Sequence, residues 1–369
     1  MPVKIILSAG GTGGHIFPAL AVANSLREHY AKSNETIEIL FVGANGRMEM
    51  EKVPQAGYPI KGLDVAGIQR GFSVQSLLKN LSWPLKLIKS IYQAYSIVNE
   101  FKPNLVAGFG GYASGPILFI AQLKGIPTLI QEQNSYAGIT NKLLSKKVRK
   151  VCVAYDGMEK YFPKNKIEVT GNPVRSEFND ADLMKLPAMM HFKLSPEIKT
   201  LLVIGGSLGA RSINLAIEKN IDKIKESGIQ LIWQTGKNYT PDPQLVKYSK
   251  FVVQPFIKEM HWAYAAANLV ISRAGALSIS EMCVIGKPAI FVPLPSAAED
   301  HQTKNANYLV QHNAALMIAD KNATNELVET ALQLINNEAS CQTLKNNIKL
   351  LGKPNAATDI KNQIIQLLN

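Results

Sequence analysis

Cysteine is scarce in this sequence, and the few cysteines follow no pattern. Cys152, Cys283 and Cys341 lie far apart in the chain and lack the spacing of metal ligands. They indicate a reducing cytosol rather than a secreted domain held by disulfides. The residues before the first glycines hold one lysine and a short apolar segment, without the apolar region of a signal peptide, so we expect no secretion.

Acidic residues and uninterrupted apolar runs are also few. The chain has 40 Lys and Arg against 28 Asp and Glu, a formal charge of +12, which favours a nucleotide, a nucleic acid or an anionic membrane as partner. Since no nucleic-acid-binding module or row of stacking aromatics is recognisable, we do not expect nucleic acid. Residues 103–123 are uncharged, but glycine, proline and polar positions interrupt them, which predicts a strand, a glycine loop and a helix instead of a membrane span.

Two common nucleotide-binding signatures are absent. A Gly-x-Gly-x-x-Gly frame that begins at Gly11 places Ile16 at the third glycine position, and the chain has no Gly-Lys-Ser/Thr triplet. What the sequence does contain is a glycine-rich turn at residues 10–14, between an apolar run and a helical pattern, and a second one at 205–211. Such glycines let backbone N–H groups approach a diphosphate, and the helix dipole favours its charge.

The pattern of apolar residues predicts the fold class. At 369 residues the chain exceeds the usual size of one core, so two domains are expected. Strand-like runs alternate with helical periodicity, which predicts an α/β protein with two Rossmann-like parallel sheets. The boundary is expected near 172–177, with 179–196 as a connection and a final helix over 356–368. Ligands of such sheets bind outside the carboxyl ends of the strands, so the glycine turns are expected to line a cleft.

Three side chains near these turns are candidates for chemistry. His15 could act as a general base or donate to a phosphate, although a helix-capping histidine is an equal alternative. His301 is expected near the same cleft, with a helix N-terminal region as the alternative. Glu281 follows a strand and a turn of small residues, where a carboxylate could accept both hydroxyls of a ribose. The alternative for Glu281 is an acid that only stabilises the helix dipole.

Two further patterns resemble a catalytic motif and a metal site, but a simpler interpretation is favoured for each. Residues 205–209 match the Gly-x-Ser-x-Gly nucleophile elbow of hydrolases, but a phosphate-binding turn needs the same glycines and is favoured. Asp180 and Asp182 resemble the paired carboxylates that hold a divalent metal beside a diphosphate. Because they lie in the predicted connection, solvated turn positions are favoured, and we expect no bound metal and no cofactor.

Apolar and basic residues are mixed in one region of the first half. Leu77, Leu78 and Trp83 lie among basic side chains that include Lys79 and Lys86, which suits a membrane surface. An apolar repeat at helical spacing in the same region is interpreted as core packing: Leu85, Ile88, Tyr92 and Tyr95. A second basic cluster has no acid within it: Lys142, Lys146, Lys147, Arg149 and Lys150. Each basic residue near an anionic leaflet contributes about 1 kcal/mol, so a joint patch would hold the protein peripherally.

Seven blocks, in their order and spacing, resemble the MurG family of glycosyltransferases over nearly the whole chain. The blocks are GGTGGHIFPA at 10–19, GGYASGP at 110–116, EQN at 132–134, GNPVR at 171–175, GGSLGAR at 205–211, SRAGALSISE at 272–281 and DHQ at 300–302. Members of the family add N-acetylglucosamine to undecaprenyl-diphospho-muramoylpentapeptide in bacterial wall synthesis.

The resemblance implies a GT-B fold, with an acceptor- and membrane-facing domain over 1–173 and a UDP-sugar domain over 174–350. A last helix in 351–369 would pack back on the first domain. The implied reaction inverts the sugar, because the muramoyl 4-hydroxyl attacks C1 of UDP-N-acetylglucosamine in line as UDP leaves. No metal is needed when helix dipoles and backbone donors stabilise the leaving diphosphate. The implied location is peripheral, on the cytoplasmic face of the inner membrane.

The matched positions imply a site. The Ile257 backbone would bind uracil, Glu281 the ribose and Gln302 the sugar. The residues near the diphosphate would be Ser207, Ala276, Leu277, Ser278, Ile279 and Ser280. Further binding positions would be Thr12, Gly13, Gly14, Asn134 and Arg175, with His15 as the candidate base. The turns at 10–14 and 110–115 would also face the acceptor diphosphate.

Two alternatives stay open at this point. One is another GT-B transferase that acts on a lipid such as diacylglycerol, which would share the donor-site blocks and differ around 110–116. The other is a basic protein without catalytic activity that binds nucleotides or nucleic acid, for which salt-sensitive RNA binding without sugar transfer would be the signature.

Overall fold

The computed structural model describes residues 2–65, 83–178 and 184–369 and divides the chain into two compact units. The first unit consists of Met1–Val174 together with Asn355–Asn369, and the second of Arg175–Pro354. Each unit is built around its own parallel sheet with helices. The predicted fold class, α/β with two Rossmann-like sheets, is therefore confirmed.

Within the described residues, the first unit contains a seven-stranded sheet in the order β3-β2-β1-β4-β5-β6-β7. The strands are β1 Val3–Ser8, β2 Ile37–Ala44, β3 Ile60–Leu63, β4 Leu105–Gly108, β5 Thr128–Glu132, β6 Lys150–Val153 and β7 Ile167–Val169. The central pair, β1 and β4, is parallel, with Ser8 opposite Gly108. Both strands are covered on two faces, which is why they appear in the sequence as nearly continuous apolar runs.

Helices cover both faces of this sheet. They are α1 Gly13–Lys32, α2 Glu49–Gln55, α3 Trp83–Phe101, α4 Ser114–Leu123, α5 Ile139–Leu144 and, at the end of the chain, α15 Ala356–Leu368. Ile5 and Leu7 of β1 belong to a buried cluster with α1 and α15, whereas Ile6 belongs to one with α3 and α4. Successive side chains of a strand point to opposite faces, so one strand contributes to two cores.

The second unit has, in its described part, a six-stranded sheet in the order β10-β9-β8-β11-β12-β13. The strands are β8 Thr200–Ile204, β9 Gln230–Gln234, β10 Phe251–Gln254, β11 Leu269–Ser272, β12 Ala289–Phe291 and β13 Leu316–Met317. The helices are α6 Lys185–Phe192, α7 Arg211–Lys219, α8 Ile221–Glu226, α9 Pro243–Val246, α10 Met260–Ala266, α11 Ala276–Ile285, α12 His301–Gln311, α13 Ala323–Asn336 and α14 Glu338–Leu350. Leu201, Val203 and Trp233 form a core with α7 and α13.

The two predicted glycine turns follow the central strands β1 and β8 and precede α1 and α7. Because the carboxyl ends of neighbouring parallel strands lie at one edge, the loops after β1, β4 and β5 gather at one edge of the first sheet. The loops after β8, β9, β11 and β12 gather in the same way in the second unit.

Residues 103–123 contain β4, a glycine loop and α4, as predicted. In the part of the chain that the structure describes, no helix is both long and apolar enough to cross a bilayer. The prediction of a connection over 179–196 is wrong for residues 185–192, which form α6. Ala188, Met189 and Phe192 bury one face of α6, and the helix packs against α10, so tertiary contacts stabilise a weakly periodic segment.

Candidate functional site

The first glycine turn joins the end of β1 to the start of α1. Thr12 is extended at the helix N-cap, and its side chain makes no capping hydrogen bond. Gly11 has a φ of +84°, a left-handed conformation that glycine adopts without strain. Thr12 is exposed, and Gly13 and Gly14 are half-buried, so the N-terminus of α1 lies at the surface of its unit.

His15 lies in the first turn of α1, and the preceding turn holds its ring. Its Nδ1 is 2.8 Å from the carbonyl oxygen of Gly10. A carbonyl oxygen can only accept a hydrogen bond, so in the neutral ring Nδ1 carries the proton and Nε2 carries the lone pair. The side chain is half-buried. The imidazole is therefore arranged to accept a proton at Nε2, as a general base does.

A second glycine turn, after β4, packs directly on His15. A Cβ atom at Gly110 would lie 2.8 Å from Cδ2 of His15, and one at Gly111 would lie 2.5 Å from the carbonyl oxygen of Gly10. The hydroxyl of Ser114, at the start of α4, donates to the carbonyl oxygen of Gly110 at 2.7 Å. The structure thus brings the blocks 10–19 and 110–116 into contact, and only glycine fits at their closest approach.

A buried carboxylate that the sequence analysis missed holds the same turn. Glu49, the first residue of α2, is fully buried. Its Oε2 accepts the backbone N–H of Gly11 at 3.0 Å, and its Oε1 accepts the N–H of Ala44 at 2.9 Å. In the sequence Glu49 resembles an ordinary acid of a first helical turn, so no signal marks it. One N–H group of the glycine turn is therefore already engaged within the protein.

Asn134 lies in the loop after β5, which the buried carboxylate of Glu132 orders. Glu132 accepts the backbone N–H of Asn134 at 3.1 Å and the side-chain amide of Asn141 at 2.8 Å. Gln133 donates to the carbonyl oxygen of Phe109 at 2.6 Å, which links this loop to the end of β4. These bonds fix Asn134 at the same sheet edge as the two glycine turns.

The glycine turn of the second unit, at 205–210, packs on the loop after β9. Gly209 has a φ of +87°, and a Cβ atom there would lie 2.2 Å from the carbonyl oxygen of Thr235. Ser207 is exposed and is not among the described residues with positive φ. A nucleophile elbow places the strained conformation on the serine itself, so this turn does not support the hydrolase alternative.

Ile257 is tied to this turn through a residue that the sequence analysis did not single out. The buried side chain of Gln234 accepts the backbone N–H of Ile257 at 2.9 Å and donates to the carbonyl oxygen of Gly206 at 3.2 Å. The N–H of Ile257 is therefore used within the protein. A base that pairs with the Ile257 backbone would meet its carbonyl oxygen.

Glu281 lies in α11 as part of a cluster of polar and aromatic side chains. It is 8% exposed, and its Oε2 accepts the hydroxyl of Tyr264 at 3.0 Å. Tyr264 packs edge-on against Phe178, and the guanidinium of Arg175 lies 4.5 Å from the centre of the Phe178 ring. Arg175 also pairs with Glu177 at 3.0 Å. The structure therefore brings Arg175 and Glu281, two predicted site residues, into one cluster.

Burial raises the pKa of the Glu281 carboxyl from 4.5 to about 7. The positive charge of Arg175 and the hydrogen bond from Tyr264 act in the opposite direction, and the charge of Glu177 raises the pKa further. Near neutral pH this carboxyl can exchange between its two protonation states. Perturbed acids of this kind concentrate at functional sites.

The start of α11 supplies backbone donors close to Glu281 in sequence. Gly275 is the extended N-cap, and the first-turn residues Ala276, Leu277 and Ser278 are half-buried. The first N–H groups of a helix lack partners within the helix, so they suit an anion. Ile279 differs, because its side chain is buried in the core and its backbone N–H already donates to the carbonyl oxygen of Gly275 at 3.0 Å. The hydroxyl of Ser280 donates to the carbonyl oxygen of Ala276 at 2.9 Å.

Gln302 lies in the first turn of α12, after an unusual backbone. Glu299 and Asp300 have φ values of +53° and +56°, a left-handed conformation that non-glycine residues seldom adopt in succession. The side-chain oxygen of Gln302 accepts the backbone N–H of Leu294 at 2.9 Å. This bond leaves the Nε2 amino group as the part of Gln302 that would donate to a ligand. His301, the neighbouring candidate, lies 3.9 Å from the Glu299 carboxylate.

Arg273 is a positioning residue whose role the sequence analysis missed, although it lies inside the 272–281 block. Its guanidinium donates to the carbonyl oxygen of Val292 at 3.0 Å and to the hydroxyl of Ser212 at 3.1 Å, and it pairs with Asp320. These bonds join the loops after β11 and β12 to the start of α7.

The predicted membrane contacts are only partly within the described residues. Leu77, Leu78 and Lys79 lie outside them, as does the side chain of Trp83. Lys86 is exposed on α3. The interpretation of the apolar repeat on α3 as core is wrong: Leu85 and Tyr92 expose 72% and 74% of their surface, and Ile88 and Tyr95 are also exposed. The opposite face packs on the sheet instead, through Ser90, Ala94, Ile97 and Val98.

The second basic cluster divides in the structure. Lys146, Lys147 and Arg149 are exposed, whereas Lys142 lies 4.1 Å from the centre of the Tyr136 ring. Lys150 is 3.7 Å from the carboxylate of Glu168. The cluster therefore contains no acid in the sequence but has one beside it in the fold.

Asp180 and Asp182 lie outside the described residues. Within residues 2–65, 83–178 and 184–369, no group of three or more His, Cys, Asp and Glu side chains is arranged to hold a metal ion.

Comparison with known sequences identifies the class of protein. Residues 5–153 match the glycosyltransferase family 28 N-terminal domain, and residues 200–364 match the glycosyltransferase family 28 C-terminal domain. The chain therefore belongs to glycosyltransferase family 28, and the alternatives of a hydrolase and of a protein without catalytic activity lose their support.

Two full-length relatives share its sequence closely. The UDP-N-acetylglucosamine--N-acetylmuramyl-(pentapeptide) pyrophosphoryl-undecaprenol N-acetylglucosamine transferase of Cytophaga hutchinsonii is 51% identical over 100% of this chain and 98% of its own. The protein of the same name from Parabacteroides distasonis is 51% identical over 99% of this chain and 98% of its own. Among solved structures, Acinetobacter baumannii MurG is similar, with a TM-score of 0.75 and 29% identity over 99% of this chain and 100% of that one.

Proposed function

We propose that this chain transfers N-acetylglucosamine from UDP-N-acetylglucosamine to the muramoyl 4-hydroxyl of undecaprenyl-diphospho-muramoylpentapeptide, in peptidoglycan synthesis. The observation that carries the proposal is the 51% identity, over the full length, to transferases named for this reaction. The side-chain arrangement supports it, because each unit contributes a glycine turn and polar groups that suit one part of the reaction.

The second unit is proposed to bind the donor. The carbonyl oxygen of Ile257 accepts from the uracil, because its N–H is engaged by Gln234. The Glu281 carboxylate accepts the ribose hydroxyls, and the Nε2 amino group of Gln302 donates to the sugar. The charge of Arg175 favours the ionised form of Glu281, which is the form that accepts two hydroxyl protons.

The leaving diphosphate is proposed to lie at the second glycine turn and the start of α11. Ser207 offers a hydroxyl there, and Ala276, Leu277 and Ser278 offer the first N–H groups of the helix. The N–H of Ile279 donates to the carbonyl oxygen of Gly275 at 3.0 Å, so Ile279 and Ser280 would lie near the diphosphate without donating their backbone N–H groups. Donors that are fixed before the reaction stabilise charge as it develops on the departing UDP. Transfer in the presence of EDTA is therefore expected.

The first unit is proposed to supply the base and the acceptor contacts. Nε2 of His15 takes the proton of the muramoyl 4-hydroxyl as the oxygen attacks C1, while Nδ1 stays bonded to Gly10. Attack opposite to the UDP bond inverts the anomeric carbon. Because Gly11 already donates to Glu49, Thr12, Gly13 and Gly14 are the turn residues left for substrate, with Asn134 at the same edge.

The first experiment is turnover of labelled UDP-N-acetylglucosamine with a short-chain analogue of the lipid-linked acceptor, in EDTA. The wild type is expected to form product, and His15→Ala is expected to lower kcat by about 100-fold or more while the donor KM changes little. Absence of transfer by the wild type would overturn the proposed function. Transfer with an unchanged kcat in His15→Ala would remove the base role alone.

Donor binding has its own test. Glu281→Ala is expected to raise the donor KM by about tenfold or more, because charged hydrogen bonds contribute about 1.5–3 kcal/mol each. Glu326→Ala, which removes an exposed carboxylate of α13, is the matched control. An unchanged donor KM in Glu281→Ala would exclude Glu281 from the ribose site.

We further propose that the enzyme binds an anionic membrane peripherally, on the cytoplasmic face, through α3 and its neighbours. Leu85, Ile88 and Tyr92 expose an apolar stripe next to Lys86, and α3 contacts α4, which exposes Phe119. Apolar groups beside lysines suit the boundary between headgroups and acyl chains.

The combined change Leu85→Ser and Ile88→Ser is expected to weaken sedimentation with anionic vesicles while turnover of the soluble acceptor analogue is retained. Leu350→Ser is the control, since Leu350 is a comparably exposed apolar residue, at 81%, in the second unit. If vesicle binding survives the double change, this stripe is not the membrane contact.

A further inference from the structure

The buried carboxylate of Glu49 and the ring of His15 hold opposite ends of one peptide group. The N–H of Gly11 donates to Glu49 Oε2 at 3.0 Å, and the carbonyl oxygen of Gly10 accepts from His15 Nδ1 at 2.8 Å. The N–H of Gly11 and the carbonyl of Gly10 belong to the same peptide bond, which is planar and trans. The three groups therefore form a continuous chain, from carboxylate through peptide to imidazole.

The side chains of the two flanking residues do not oppose reversal of this peptide group. It joins two glycines, and glycine has no Cβ atom that would oppose rotation of the peptide plane. Gly11 has a φ of +84°, a conformation that glycine adopts without strain. Reversal would turn the N–H of Gly11 toward Nδ1 of His15. Nδ1 would then have to accept a hydrogen bond, so the proton of the neutral ring would move to Nε2. A ring in that form has no lone pair at Nε2 for the acceptor hydroxyl.

Glu49 is held in place by more than its two hydrogen bonds. A Cβ atom at Gly10 would lie 2.1 Å from Oε1 of Glu49, and a Cβ atom at Gly43 would lie 2.4 Å from its Cγ. The side chain thus fills a space that exists only because glycine occupies both positions. Its second oxygen is fixed by the N–H of Ala44, at the end of β2.

We propose that Glu49 is a positioning residue for His15, which fixes the Gly10–Gly11 peptide so that the imidazole keeps its proton on Nδ1 and its lone pair on Nε2. An ionised carboxylate also polarises the peptide group between them, which strengthens the hydrogen bond from Nδ1. The inference rests on the proposed function, because it assigns to Glu49 the orientation of the proposed base.

The test replaces Glu49 by Met, which keeps the length of the side chain and removes both carboxylate oxygens. ¹⁵N NMR of labelled histidine reports which ring nitrogen carries the proton, and His15→Ala identifies the His15 signals among the six histidines. At a pH where the ring is neutral, the wild type is expected to show the Nδ1–H form. Glu49→Met is expected to show a substantial Nε2–H population and a kcat at least about tenfold lower, with the donor KM within twofold.

Glu51→Met is the matched control, since Glu51 is an exposed acid on the same helix. It is expected to match the wild type in tautomer and kcat. Gly43→Ala is a second route to the same displacement, because the new Cβ would push Glu49 while the charge and the glycine turn stay unchanged. It is expected to reproduce the shift of tautomer, and it decides the matter if Glu49→Met does not fold.

The proposal is overturned if both variants, or the one that folds, keep the Nδ1–H form of His15, even when kcat falls, because that result would mean a structural role only. Failure of the proposed base is a different result: His15→Ala would then keep the wild-type kcat, whatever the tautomer in the Glu49 variants.

Discussion

Replacement of Glu281 by Gln is expected to remove a pH dependence from the stability of the second unit. The carboxyl of Glu281 is 8% exposed, and burial raises its pKa from 4.5 to about 7. Gln keeps nearly the same volume, and its side-chain oxygen can still accept the hydroxyl of Tyr264. The substitution therefore removes the titration of this group and changes little else.

The sign follows from the direction of the change in pKa. The folded state holds the proton of Glu281 more tightly than the unfolded chain does, so it binds more protons between pH 4.5 and about 7. The contribution of this group to stability is fully present below pH 4.5 and is lost as the pH rises through about 7. The difference between about 7 and 4.5 corresponds to roughly 3 kcal/mol, at about 1.4 kcal/mol for each pH unit.

Urea denaturation of the full chain from pH 4 to pH 8, followed by tryptophan fluorescence, measures this effect, since Trp233 is fully buried in the second unit. Relative to the wild type, Glu281→Gln is expected to gain up to about 3 kcal/mol between the two ends of the pH range. A constant difference between the two proteins at all pH values would refute the reasoning, because the carboxyl would then titrate alike in the folded and unfolded states.

Three further predictions concern single residues. Arg175→Met removes a positive charge that lowers the pKa of Glu281. The midpoint of the pH dependence of stability is therefore expected to move to higher pH, and the donor KM at neutral pH is expected to rise. An unchanged midpoint would contradict this. Gly110→Ala would place a Cβ atom 2.8 Å from the ring of His15. Steady-state kinetics are therefore expected to show a lower kcat and an unchanged donor KM. An unchanged kcat would contradict the contact between Gly110 and His15. Arg273→Met removes several hydrogen bonds and is expected to destabilise the second unit by about 2–3 kcal/mol in urea denaturation, a loss that a surface residue would not show.

The sequence predicted the backbone turns of the site better than the side chains that hold those turns. The turns at 10–14 and 205–211 were recognisable because glycines after an apolar run have a local conformational meaning. The side chains that hold those turns in place were not recognisable from the sequence. Glu49, Gln234 and Arg273 act through contacts with residues distant in sequence, and their own neighbours in the chain give no sign of it.

The apolar repeat on α3 shows a second limit. Its spacing indicates that one face of the helix differs from the other, but it does not say which face meets the sheet. The smaller side chains, such as Ser90 and Ala94, pack inward, and the larger Leu85 and Tyr92 remain exposed. The short edge strands β3, β7 and β13 were not predicted either, since strands of this length carry little periodicity of their own.

The sequence by itself determined the α/β class, the order of strands and helices around the glycine turns, and the family. These depend on local backbone preference and on apolar periodicity, both of which are properties of neighbouring residues. Only the tertiary structure decided which carboxylates are buried, which nitrogen of His15 carries the proton and which face of α3 is exposed. Each of these depends on atoms that come together from distant parts of the chain, where burial and hydrogen bonding set the chemistry of a side chain.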